Sequence, residues 1–285
     1  MHLSFPFTVS QVLWTLTFAA QLVLLVVLLG RDRIQRFPWF TASIVLFALR
    51  LLAEVLLSGR MAPTVLRVVF LSMADVAAVV GLLVVVEMAR RAFGAASRQA
   101  WIIGVLALVA VGAGVLYAWG PWPGWKALTA DPELTTLRLM QLGAQKADLL
   151  MDVLTVELGL LVVLFGRLFK AGWQSHVQRI VIGLSTVALS WLAVQGVWQV
   201  IAATVHPHTP EEYERLIGLG GKMVSANKAV YIAALVWWIV CLWRDEPGAK
   251  TEAGPAVRQE SGQLHIPENA AADEIRTEME EDQAG

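Results

Sequence analysis

Charge is scarce in this chain, and so are cysteine and the residues that announce catalysis. Only 16% of its 285 residues are charged and 57% are hydrophobic, whereas a soluble domain carries about 25% charged residues. That balance points away from a water-soluble globule and towards a membrane protein. The single cysteine, Cys241, excludes a disulfide framework and a thiolate metal cluster, and reads as a small apolar filler. The five histidines (His2, His176, His206, His208 and His265) all lie away from the middle of the long apolar runs, which excludes haem held between spans. His206-Pro207-His208 beside Glu211 and Glu212 is too short a pattern for a zinc site. No P-loop, G-x-S-x-G, H-E-x-x-H or dinucleotide fingerprint occurs, so no enzyme class and no metal are indicated. No transporter-type internal repeat is evident. The first ten residues hold no Lys or Arg, which argues for a retained first helix over a cleaved signal peptide.

What the chain does have is long apolar runs. Spanning a bilayer takes about 20 such residues. Seven stretches qualify, at about 9–30, 38–58, 64–89, 99–119, 147–168, 177–204 and 222–243. Backbone groups in hydrocarbon must find partners within their own segment, so these stretches are helices. The expected fold is an all-α integral membrane protein, a seven-transmembrane-helix bundle within residues 1–244.

Basic residues set its orientation. Arg31, Arg33 and Arg36 fill the first loop, Arg90, Arg91 and Arg98 the third, and Arg167, Lys170 and Arg179 the fifth, while Arg244 follows the last span. The alternate loops are poorer for their length. The positive-inside rule then places the N-terminus outside and the C-terminus in the cytoplasm, in a multi-pass protein of a plasma (inner) membrane. Residues 245–285 carry 11 acids and 3 bases, a net −8 that leaves +7 on the body. With almost no large apolar residues, this tail is expected to stay disordered. It is either simply solvated or the docking site of a cytoplasmic protein partner. No basic stripe faces water, so nucleic acid is not an expected partner; the lipid bilayer is.

Two outer loops carry helix-start signals. Asp131-Pro132-Glu133 reads as N-cap, N1 proline and first-turn acid, with a helix able to run on into the fifth span. Thr209-Pro210-Glu211-Glu212 repeats the device, and there a short helix is expected to end near Gly218, Gly220 and Gly221. Before the first of these, Trp119-Gly120-Pro121-Trp122-Pro123-Gly124-Trp125 breaks the chain and supplies interfacial indoles.

The informative residues are the polar ones inside the spans, because a charge at the centre of a bilayer costs roughly 2.5 to 3.5 kcal/mol on insertion scales. Arg50 and Glu54 stand four apart and share a helix face, as a structural pair or as binding groups. Asp75 sits mid-span and needs a partner from another helix, with Arg50 and Lys228 as the available cations. Asp148 and Asp152 share a face, with Asp148 the shallower; Glu157, nine residues beyond Asp148, points about 180° away. Gln195 and Gln199 form another pair four apart, near Trp191 and Trp198, for which interhelical glue is the plainer role. Asn227 and Lys228 cluster near the outer end of the last span, where a lysine can also snorkel to the surface. Counted together, Arg50, Lys228, Glu54, Asp75, Asp152 and Glu157 sum to −2. A dry bundle would not hold that charge, so water, protons or a cation must accompany it. The expectation is an outward-facing polar cavity.

Lys228 in the seventh span with Asp75 in the third resembles the Schiff-base lysine and counter-ion of retinal proteins. Lys228 is nearer the outer surface than that role requires, so retinal is not favoured and no cofactor or family is assigned. Three functions fit the residues. The first is a sensing or binding protein for a small-molecule ligand, the second a proton- or cation-coupled transporter, and the third a structural subunit whose charges fix packing.

Overall fold

The computed structural model describes residues 8–57, 59–93, 98–119, 122–129, 131–165, 176–205 and 207–244. The acidic tail, the segment holding Arg167 and Lys170, and His206 lie outside them. The described residues are helical, without strands. Their elements are α1 (Val9–Gly30), α2 (Pro38–Leu57), α3 (Pro63–Ala92), α4 (Arg98–Ala118), the short α5 (Trp125–Leu128), α6 (Pro132–Phe165), α7 (His176–Thr204) and α8 (Pro210–Trp243). Five of these, α1, α2, α3, α7 and α8, are long and apolar enough to cross a membrane. In α4 the apolar part is Ile102–Ala118, and α6 is interrupted by its acids.

Local chemistry fixes most helix ends. Thr8 and Gln11 form a capping box at the start of α1, and Thr209 and Glu212 form another at the start of α8, with Pro210 in the first turn. The chain leaves α1 through Asp32, whose φ of 50° takes a position usually given to glycine. The Arg33 amide then reaches back to the Leu28 carbonyl at 2.9 Å. One expectation is corrected here. The helix that begins at Pro210 does not stop at Gly218–Gly221; it runs unbroken to Trp243. Gly220 is a contact point rather than a stop: a Cβ there would lie 3.2 Å from the Trp198 ring.

The packing order is a ring. Helix α1 packs on α2, α2 on α3, α3 on α6, α6 on α7, α7 on α8, and α8 back on α1. Helix α4 stands outside this ring, against α6. Because lipid is as apolar as leucine, such helices associate through close packing and hydrogen bonds, and the glycines show where. Gly183 of α7 lies beneath the Trp238 indole of α8, where a Cβ would collide with it, and Gly112 of α4 receives Leu154 of α6 at 2.8 Å from a Cβ position.

The core occupies one half of the bundle only. Leu24, Leu28, Phe40, Ile44, Met88, Leu158, Ile180, Leu235 and Trp238 are almost wholly enclosed there. This apolar half contains the end of α1, the start of α2, the ends of α3, α6 and α8, and the start of α7. Phe40 meets Trp238 edge-on at 5.2 Å. The indoles of Trp237 and Trp238 donate to the Arg179 and Ile180 carbonyls at 3.1 and 3.3 Å. Beyond Ala48 in α2, beyond Ala188 in α7 and before Ala234 in α8, no residue of those helices is buried. That is the polar half.

A candidate ligand cavity in the polar half

The polar half holds a cavity of about 520 Å³ between α6, α7 and α8, bounded also by Trp119 just after α4. Its aromatic wall is Trp119, Trp191 and Trp198, and its polar groups include Asp148, Gln195 and Gln199. Small residues seat the indoles: Trp198 lies over Gly220, and Trp119 touches Gly196. Lys146 also lines the cavity, but its ammonium is engaged. It donates to the Trp119 carbonyl at 2.8 Å and rests 4.3 Å from the Trp122 ring centre.

The carboxylates continue inward from there. Asp148 lies within electrostatic range of Arg50 on α2 and Asp75 on α3, and Asp152, one turn deeper on α6, lies within range of Asp148. Asp152 is buried. Among the described residues, no ion pair or hydrogen bond joins Arg50, Asp75, Asp148 or Asp152 to a partner. Asp148 thus has two further carboxylates and one guanidinium within electrostatic range, none of them in direct contact with it. Such a group attracts cations, and its charge is stabilised by whatever enters the space between.

Other expected residues fall elsewhere. Glu54 is exposed and makes no ion pair with the half-buried Arg50. Glu157 shares a face of α6 with Leu150 and Leu154, which meet α4 at Gly112; it is therefore turned away from the cavity, with both carboxylate oxygens buried and unpartnered. Asn227 lies one turn below the cavity residue Met223, with its side-chain oxygen buried and unpartnered. Lys228 is half-buried and does not line the cavity. Helices α3 and α8 do not pack on one another, so the expected partnership of Lys228 with Asp75 is not formed. Among the described residues, Gln195 and Gln199 make no hydrogen bond to another helix; they line the cavity instead.

Two acids and the role of one cluster differ from what the sequence suggests. Asp148, the shallower acid by its place in the apolar run, is the one at the cavity wall. Trp191, Gln195, Trp198 and Gln199 follow the spacing of a single helix face, which signalled a shared surface. Glu87 was overlooked altogether. Its buried carboxylate accepts the Phe40 amide at 3.1 Å, satisfying an orphan donor in the first turn of α2, and it meets Arg91 at 3.5 Å. Glu87 and Arg91, four apart at the end of an apolar run, were the available clue.

Compared with protein-family models, curated proteins and solved structures, the chain matches none of them. Function must be argued from the cavity itself.

Proposed function

We propose that this is a seven-span protein of a plasma (inner) membrane, with its N-terminus outside, whose polar half is an outward-facing cavity that binds a small ligand for sensing or capture. The carrying observation is the asymmetry of packing. One half of the ring is closed by apolar side chains, while the other holds an open cavity of about 520 Å³ bordered by indoles, amides and a carboxylate. Ligand sites are concave, mostly apolar, and equipped with a few polar groups that fix orientation. Helices α4 and α6 supply the two spans beyond the five apolar ones. Arg31, Arg33, Arg36, Arg90, Arg91, Arg179 and Arg244 all stand at the apolar end, which favours that end as cytoplasmic.

Native mass spectrometry of the full chain released from nanodiscs tests this reading. A retained small molecule that is lost on Asp148→Asn supports it. A bare chain under every lipid condition counts against it.

One observation favours a second reading, a proton- or cation-coupled transporter: Asp148 on the cavity wall has Asp75, Asp152 and Arg50 within electrostatic range behind it. Proteoliposome flux that vanishes on Asp152→Asn but survives truncation after Arg244 would select it over sensing.

A further inference from the structure

The chemistry of the cavity wall is more specific than its volume. A hydrophobic pocket for a neutral molecule needs no ionisable lining, and a pocket for an anion needs a free cation. Here the lining cation is Lys146, and its ammonium is already held by the Trp119 carbonyl and the face of Trp122. The lining anion is Asp148, with no hydrogen bond or ion pair among the described residues. Within electrostatic range of it stand Asp75, Asp152 and the guanidinium of Arg50. A metal ion is a poor fit, because no group of three or more His, Cys, Asp or Glu side chains converges among the described residues. Three indoles remain to be explained. Indole faces attract cations through the ring quadrupole, most strongly where water is excluded, and they suit bulky ammonium groups that shed water easily. The geometry near Lys146 is an instance of the same preference.

We propose that the cavity binds a small organic cation, a tertiary or quaternary ammonium, with its charge facing Asp148 and its alkyl groups against Trp119, Trp191 and Trp198. This rests on the reading of the polar half as a binding cavity and adds the class of ligand. The side-chain amides of Gln195 and Gln199 lie on the same lining. These donors fit an oxygen function on the same molecule.

Depth leaves two sources for such a group. Asp148 lies 17 residues from the end of α6 at Phe165, about 26 Å at 1.5 Å per residue, and the hydrocarbon core is about 30 Å thick. The cavity therefore sits at the border between acyl chains and headgroups. A free solute and a lipid headgroup can both present an alkylammonium there.

The test is a titration of tryptophan fluorescence in the full chain, held in phosphatidylglycerol nanodiscs. The probes are choline and its neutral carbon isostere, 3,3-dimethylbutan-1-ol. Choline is expected to bind at least about tenfold more tightly than the isostere, the discrimination a desolvated cation–π contact of about 2 kcal/mol allows. Asp148→Asn is expected to erase most of that ratio. Trp198→Leu, at a side chain already 42% exposed, is expected to weaken choline without unfolding the protein. Repeating the titration in phosphatidylcholine separates the sources: competition by the lipid assigns the headgroup, and unchanged choline affinity assigns the free solute. Equal binding of choline and the isostere overturns the cation assignment while leaving a binding cavity in place. No binding of either at 100 mM also overturns it, and the retained-molecule experiment then decides the cavity itself.

Discussion

The two halves of this bundle are built from the same helices and obey opposite rules. In the apolar half every helix of the ring contributes enclosed side chains, and indole N–H groups, a buried glutamate and an edge-on aromatic pair tie neighbours together. In the polar half the ties are sparse: apart from the Gln21 amide donating to the Tyr231 hydroxyl at 3.1 Å where the halves meet, they lie near the edge. Arg67 reaches Gln141 at 2.7 Å, Lys146 reaches the Trp119 carbonyl, and a capping box starts α8. The difference teaches where stability and function separate along one set of helices. Close packing at one end holds the helices in place, so the other end can leave charges unpaired and space unfilled. Strain of that kind persists only where the surroundings over-determine it.

Substitutions can break or sharpen this contrast, and their expected effects fall in order. Trp238→Ala should be the most damaging, costing about 3 kcal/mol as an enclosed aromatic is cut away; thermal unfolding in nanodiscs would register it as a large drop in midpoint. Gly183→Val should follow at about 2 kcal/mol, since the added carbons collide with Trp238 and overpack a tight crossing. The same melts should show it, and a shrunken partner, Trp238→Leu, should restore part of the loss. Glu87→Ala should cost about 1 to 2 kcal/mol by orphaning the Phe40 amide. Hydrogen exchange localised to the start of α2 would report it, with Glu87→Gln milder because an amide oxygen still accepts. Smallest should be Gln195→Leu and Gln199→Leu, within about 0.5 kcal/mol of the parent in stability, yet these should alter ligand binding. If both halves responded alike, the contrast drawn above would be wrong.

How much of this was legible in advance depends on the length scale. The apolar runs marked α1, α2, α4 and α7 to within a residue or so at each end, because hydrophobicity registers against bilayer thickness. They missed the overhang of α8, whereas that of α6 follows from the Asp131-Pro132-Glu133 start signal, from which the helix does run on into the fifth apolar stretch. Those stretches are helical through caps and local propensity, and Gly218, Gly220 and Gly221 were read as terminators although a helix tolerates each at about 1 kcal/mol. Neighbourhood was partly legible too: Arg50, Asp75 and Asp152, grouped by their places within the apolar runs, all lie within electrostatic range of Asp148. Partnership was not. Which acid meets which base depends on the order of helices around the ring, and no single-helix periodicity encodes that α4 stands outside it or that α3 and α8 stay apart. The demotion of Asp148 has the same origin, since shallowness along the bilayer normal says nothing about enclosure by neighbours.

Helix α8 has a mechanical consequence. It is one unbroken rod of 34 residues, gripped near one end where Trp238 sits on Gly183. With that grip as fulcrum, Met223 at the cavity is 15 residues away and Trp243 on the opposite side only 5, arms of about 22 Å and 8 Å. A 2 Å swing at the cavity therefore shrinks to roughly 0.7 Å at the far end, by the ratio of those arms. Tilting is geared down, whereas turning the rod about its own axis is passed along at full angle. Any message carried by α8 through the closed half would travel as torque.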